Sequence, residues 1–240
     1  MNDFAAFFTY LSSTPLFGLT ATLGAYVLAS AVYQRLHANP WANPVLWSVV
    51  LLIALLLATG MPYEQYFSGA QFIHFLLGPA VVALAWPLWL RRHIMARHLK
   101  TLLLAALMGL LSGCGLAVLL GWALGLPPDV LRSLAAKAIT APVAMGIAQA
   151  IGGLPELAAI VVLITGLLGA IVGQYVFKIA RVRPWAVRGF ALGAQSHGIG
   201  TARALNVNAE AGAFAGLALG LQALLGAVLI PLAAALLRMF

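Results

Sequence analysis

The sequence predicts an all-α polytopic membrane protein: a single membrane domain of about seven crossings with several interrupted helices. Three observations carry this expectation. The 240 residues are 63% apolar and only 8% charged, whereas soluble domains are nearer half apolar and a quarter charged. Runs of about twenty apolar residues recur along the chain, each long enough to cross a hydrocarbon core about 30 Å thick. Three of these runs are interrupted by proline or clustered glycine with polar residues nearby. Mean hydropathy is +1.03. The short alternating segments of a β-barrel do not occur, and no stretch is polar enough to form a separate soluble domain.

The apolar segments fall in order. The first, 14–36, follows the turn signal Ser12-Ser13-Thr14-Pro15, and the second, 44–60, follows Asn43-Pro44. Residues 1–60 therefore read as scaffold helices. The third segment, 66–90, is interrupted at Gly78-Pro79; with the fourth, 99–125, it makes 61–125 a first repeat region. The fifth, 128–152, is interrupted at Thr140-Ala141-Pro142. The sixth is 156–179, the seventh 185–205 and the eighth 210–238, so that 128–240 reads as a core with two broken helices. Proline removes a backbone donor and clashes with the preceding turn, and clustered glycine weakens a helix. Backbone freed inside a membrane is tolerated only where protein or a watery cavity satisfies it. Interrupted helices near the midplane are the usual construction of secondary-transporter sites.

The net charge of +8 comes from 13 Lys and Arg against five Asp and Glu. The cations are spread over short loops rather than gathered on one face, so they report topology and not nucleic-acid binding. The loops 91–100 (Arg91, Arg92, Arg97, Lys100) and 178–188 (Lys178, Arg181, Arg183, Arg188) both read as cytoplasmic. They share a face if segment five re-enters instead of crossing. The N-terminus then lies outside and the C-terminus inside, with Arg35 and Arg238 inside and Glu64 and Glu156 outside. Segments two to four and six to eight would form an inverted three-plus-three repeat. A second echo links GPAVVALA (78–85) to APVAMGIA (141–148), and the two relations do not reduce to one scheme. The N-terminus lacks the basic region of a cleaved signal peptide.

Two places carry chemistry. In segment five, Lys137 either snorkels from near a helix end or presents a cation to a cavity beside Thr140. A helix half starting at Ala141-Pro142, with Met145 a turn further on, would aim its positive end at that cavity and suit a carboxylate. Segment seven holds Gln195-Ser196-His197-Gly198-Ile199-Gly200-Thr201-Ala202-Arg203. His197 is either a hydrogen-bonded core histidine or the group that orients substrate or carries a coupling proton, since imidazole titrates near neutral pH. Ser196, Thr201 and the backbone about Gly198 and Gly200 offer polar contacts. Arg203 either snorkels or neutralises an anion, with Glu210 as a local partner. Pro79 marks the remaining break, and His74 before it reads as packing.

Other classes are excluded. No P-loop, H-E-x-x-H or G-x-S-x-G pattern occurs, so no enzyme activity and no cofactor are expected. The five histidines have no metal-ligand spacing, and the single cysteine, Cys114, forbids an intramolecular disulfide and reads as a small packing residue. No acidic residue lies central in a segment, which argues against Na⁺-carboxylate coupling.

The stretches LLGPAVVALAWPL (76–88), KAITAPVAM (137–145), IGGLPELAA (151–159), ITGLLGAIVG (164–173), RGFALGAQSHGIGTARAL (188–205) and EAGAFAGLALGL (210–221) resemble the LrgB/CidB holin-antiholin-like family. They cover most of the chain after residue 60. The resemblance implies either of two functions. One is control of murein hydrolase activity and lysis, with a small holin-like partner of the LrgA/CidA type. The other is transport, since plastid relatives carry glycolate and glycerate and some bacterial pairs are linked to pyruvate uptake. Lys137, Thr140, Pro142, Ser196, His197, Gly198, Gly200, Thr201 and Arg203 match its motifs. The chain departs where the family often has T-T-P, here Thr140-Ala141-Pro142, and where it often has G-T-A-S-H, here Gly193-Ala194-Gln195-Ser196-His197. Losing the hydroxyl at Ala141 alters substrate contacts, and Gln195 restores a polar one.

The expectation is thus a multi-pass protein of the bacterial inner membrane, a homodimer with elevator-like motion, carrying small monocarboxylates. Lys137 or Arg203 would hold the carboxylate, Thr140, Ser196 and Thr201 its other oxygens, and His197 a proton. A regulator of lysis without transport, and a pore, are the competing readings.

Overall fold

A computed structural model describes residues 14, 16–76, 79, 82–83, 85–90 and 92–236 of the chain. Among the described residues all regular structure is helical. Four helices among the described residues are long and apolar enough to cross a membrane: Leu16–Arg35, Ala96–Ala123, Pro155–Ile179 and Ala209–Leu236. Large apolar side chains along them are exposed, as lipid-facing surfaces are. The contacts divide the chain into two compact units, Met1–Ala80 and Val81–Phe240.

The first unit contains α1 (Leu16–Arg35), a 3₁₀ turn (Pro40–Ala42), α2 (Pro44–Thr59) and α3 (Tyr63–Phe75). α2 starts where the sequence signals it. Asn43 Oδ1 accepts from the amides of Val45 and Leu46, Pro44 opens the helix, and Gly60 closes it with φ +64°, the conformation glycine adopts freely. α1 packs on α2 and α3. Gly18 lies against the backbone of Tyr66 and Ala70, and Thr22 Oγ1 shares a 2.7 Å hydrogen bond with Tyr66 OH. The break expected at Gly78-Pro79 falls outside the described residues except for Pro79, which is exposed.

The second unit begins with α4 (Ala85–Leu90) and α5 (Arg92–Leu110). The charged stretch 91–100, expected as a loop, is helical from Arg92 with one non-helical residue, His98. Arg and Lys are good helix formers, so charge alone does not end a helix. α5 runs through a π-helical turn, Leu111–Gly115, into α6 (Leu116–Ala123), and together they form the span Ala96–Ala123. The π turn was not legible in the sequence; Cys114 is buried in it, as expected of a packing residue.

Segment five breaks where expected. α7 (Pro128–Leu134) ends, 135–140 is unwound, and α8 (Ala141–Ala150) starts after the extended residue Thr140. Pro142 in the first turn lacks the donor that a continuous helix needs there. The chain also turns back. Ser133 Oγ donates to Asp129 O and accepts from Leu154 N, each at 2.7 Å, and Arg132 donates to Gly152 O. Residues 133 and 154 would be about 30 Å apart in one straight helix. Segment five is therefore a hairpin, closed at its base by Ser133 and Leu154, whose unwound stretch 135–140 leads to the tip where α8 begins.

The single span α9 (Pro155–Ile179) follows, then α10 (Trp185–Val207) and α11 (Ala209–Leu236). Segment seven was expected to cross as a broken helix, with its backbone freed about Gly198 and Gly200. The structure corrects both points. The non-helical residue is His197 itself, with φ +42° and ψ −129°, and the chain reverses there. A Cβ on Gly200 would lie 2.6 Å from the carbonyl oxygen of Leu192, eight residues back and about 12 Å away in a straight helix. Trp185 and Val207, at opposite ends of α10, line one small cavity. The two halves of α10 thus form a second hairpin, and the three-plus-three repeat, which needs segment seven to cross, does not hold. α11 then runs beside the first half of α10, where Gly189 and Gly193 rest on the backbone of Ala211 and Ala215. Small residues four apart allow this close approach between membrane helices.

Candidate functional site

The tips of the two hairpins meet. His197, 2% exposed, places its ring Nε2 3.0 Å from Lys137 O in the unwound segment. A carbonyl only accepts, so Nε2 carries the proton and donates. Nδ1 faces Gly166 of α9, where a Cβ would sit 3.3 Å from it. Ser196, 1% exposed, lies over Gly169, leaving no room for a side chain there. Gly166 is near the middle of its span. So are Gly113 in Ala96–Ala123, packed on Ala138, and Gly226 in Ala209–Leu236, packed on Ile139. The meeting point of the tips is thus at mid-depth of three spans.

Two helix starts point at this place. α8 begins after Thr140, and the second half of α10 begins after His197. Each carries unpaired amides and the positive end of the helix dipole. Thr140 Oγ1 and Thr201 Oγ1 are buried without a hydrogen-bond partner. Such orphans cost about 1–3 kcal/mol apiece, so they suit a place that a polar ligand fills. Lys137 is half-buried at the tip, and Ala141, Pro142 and Met145 form the first turns of α8, all half-buried. Gly200 is buried where the second hairpin closes on Ser196 and Leu192, while nothing lies within 4 Å of a Cβ on exposed Gly198.

Gln195 bonds within the protein: Nε2 donates to Gly109 O at 2.7 Å. Gly109 and Gly113 together leave the groove its amide fills, just where α5 passes into the π turn. This links the second hairpin to the span Ala96–Ala123.

Arg203 is not brought to this place. It is half-buried and lines a separate cavity of about 160 Å³ with Gln174, Trp185, Arg188 and Val207. The reversal at His197 carries residue 203 back toward the start of α10, away from the tip. Arg188 is held beside it by a 2.6 Å bond from Nε to Val182 O and by the ring of Trp185, 4.9 Å from its guanidinium. Glu210 is exposed, its amide capped by Asn208 Oδ1. Two residues escaped the sequence reading. Ser133 clasps the base of the first hairpin, and Gln222, 1% exposed on α11, has neither amide atom bonded. An amide inside the apolar run GLALGLQALLGAV (216–228) was the available signal for the second.

Fold and site together define a multi-pass helical membrane protein with two hairpins whose tips join inside the core. The chain belongs to the LrgB-like family, whose model matches residues 22–236. Among its relatives, YxaC of Bacillus subtilis, uncharacterized, is 37% identical over 88% of this chain and 91% of its own. The holin-like protein CidB of Staphylococcus aureus is 31% identical over 96% of this chain and 97% of its own. An uncharacterized protein of Haemophilus influenzae is 33% identical over 88% and 90%. No solved structure matches the chain.

Proposed function

We propose that the protein is a secondary transporter of small monocarboxylates of the bacterial inner membrane, without enzymatic activity. The observation that carries this reading is the meeting of two hairpin tips at mid-depth, with two helix starts and unbonded buried hydroxyls around them. The amides at Ala141 and after His197, with Lys137, hold the carboxylate. Thr140, Ser196 and Thr201 take its other oxygens, and His197 carries the coupling proton or holds the tips together. Arg203 and Arg188 form a cationic antechamber rather than the central site.

Two hairpins also fit the charge distribution. From a cytoplasmic 91–100, the span Ala96–Ala123 leads out and the first hairpin returns to the outer face. Pro155–Ile179 leads back, placing 178–188 with the other cations. The second hairpin then returns inside, and Ala209–Leu236 leads out. The C-terminus thereby lies outside, opposite to the sequence expectation. Each span-plus-hairpin pair is the inverted counterpart of the other, a common transporter plan, and elevator-like motion and a homodimer fit it.

The test is uptake by the purified protein in liposomes. Saturable entry of pyruvate, glycolate or lactate under a pH gradient, lost in Lys137→Ala, supports the reading; no entry of any of them sinks it. The names of the relatives favour a second reading, holin-like control of lysis with a small LrgA/CidA-type partner. That reading expects lysis phenotypes to survive Lys137→Ala.

A further inference from the structure

Gln222 is the buried polar side chain that the site as described does not use. Its Nε2 points at α5, 2.7 Å from where a Cβ on Gly109 would be, and Gln195 Nε2 lies 3.4 Å from the same point. Gln222 therefore stands beside the residue that precedes Ser196 and His197. One turn further along α11, Gly226 packs on Ile139, the neighbour of Thr140. The amide thus lies on α11 between that helix's approach to the second hairpin at Gln195 and its contact with the first hairpin at Ile139. It is 1% exposed and neither Nε2 nor Oε1 has a partner. Leucine or methionine would fill this position without the cost of burying an unbonded amide. A carboxamide offers two donors and an acceptor on one rigid plane. It can therefore bond a ketone oxygen as donor, or a hydroxyl as donor or acceptor, without bringing a charge of its own.

We infer that Gln222 reads the oxygen on carbon 2 of the transported acid, while the hairpin tips hold the carboxylate. This rests on the carrier reading. It makes Gln222 the residue that separates 2-oxo and 2-hydroxy acids from plain carboxylic acids of the same size. A site built to bond a substrate oxygen rejects the analogue lacking it, because the site's own polar group is then left unpaired.

The experiment compares uptake of pyruvate, lactate and propionate by the full chain in liposomes, for the native protein and for Gln222→Leu and Gln222→Met. The native protein is expected to favour pyruvate and lactate over propionate. Both variants should lose roughly ten- to a hundredfold in kcat/KM for the two oxygenated acids and change little for propionate. In detergent without substrate, both should unfold at or above the native temperature, because an unbonded buried amide has been removed. An equal loss for all three acids overturns the inference, as does a variant that unfolds earlier yet keeps the native preference; the amide would then be paired within the protein. A native protein that moves none of the acids removes the carrier reading and the inference with it, whereas one that moves all three alike removes the inference alone.

Discussion

His197 carries two roles that substitution can separate. Its ring donates to Lys137 O, and its backbone adopts φ +42°, ψ −129°, a conformation open to glycine but strained by about 1–3 kcal/mol for other residues. His197→Ala keeps the strain and loses the ring. The lost bond and the orphaned carbonyl cost about 1–3 kcal/mol. His197→Gly loses the same bond but relieves the strain, against about 0.5–1 kcal/mol for the greater freedom of glycine in the unfolded chain. The glycine variant should therefore be more stable than the alanine variant by about 0.5–2 kcal/mol. In an ordinary helix interior alanine is favoured by about 1 kcal/mol, so the sign itself is diagnostic. Thermal or denaturant unfolding in detergent of both variants gives the order. If alanine proves the more stable, the reversal at residue 197 is wrong. The same pair tests function: His197→Gly retains the hairpin without the imidazole, so loss of proton-driven uptake in it is assignable to the ring.

Cysteines replacing Trp185 and Val207 should be joined by a reagent about 10 Å long, because both residues line one cavity; a straight α10 would separate them by about 33 Å and give no cross-link. Gly169→Ala should abolish assembly of the second hairpin on α9, since the added methyl meets Ser196 Oγ, and Ser196→Gly in the same chain should restore folding as judged by monodisperse elution. Gly198→Ala, with open space at its Cβ, should be neutral or stabilising by up to about 1 kcal/mol in detergent unfolding, whereas Gly200→Ala should be strongly destabilising. Ser133→Ala should cost about 1–3 kcal/mol in the same assay, because Leu154 N loses its acceptor inside the first hairpin.

The order and extent of the helices were legible because apolar run length and proline placement act locally. Asn43-Pro44 starts a helix, and Thr140-Ala141-Pro142 starts another, as proline in a first turn does wherever it occurs in a chain. What the sequence hid depends on partners far along it. Gly198 and Gly200 read as places where backbone is free for polar contacts, yet Gly200 is small to let Leu192 approach. The reversal falls on His197, a residue that local rules do not favour at positive φ. The π turn at Leu111–Gly115 likewise begins beside a contact from far along the chain, the bond from Gln195 to Gly109 O, 86 positions away. Arg203, six residues and about 9 Å from His197 along a straight helix, was a candidate for the same site; the reversal at His197 turns it back toward Trp185 and Arg188 instead.

The two hairpins explain why the site needs so few polar residues. Each tip exposes backbone that lipid could not satisfy, so each must be covered by protein. The first is covered by Gly113 and Gly226, the second by Gly166 and Gly169, on spans whose glycines admit backbone where side chains would stand. Between the tips themselves the described side-chain link is one bond from the His197 ring to a carbonyl, worth about 1 kcal/mol net. Differential binding of a carboxylate by a few kcal/mol suffices to invert a two-state equilibrium held by so little. In the proposed transporter, substrate therefore competes with His197 for the backbone of the first hairpin. A spin label on each hairpin, at Met145 and Ala202, should then show a tip separation that shifts with pyruvate in the native protein. In His197→Gly the shifted state should already be populated without ligand. Identical distance distributions in all four samples would leave the hairpins as static packing.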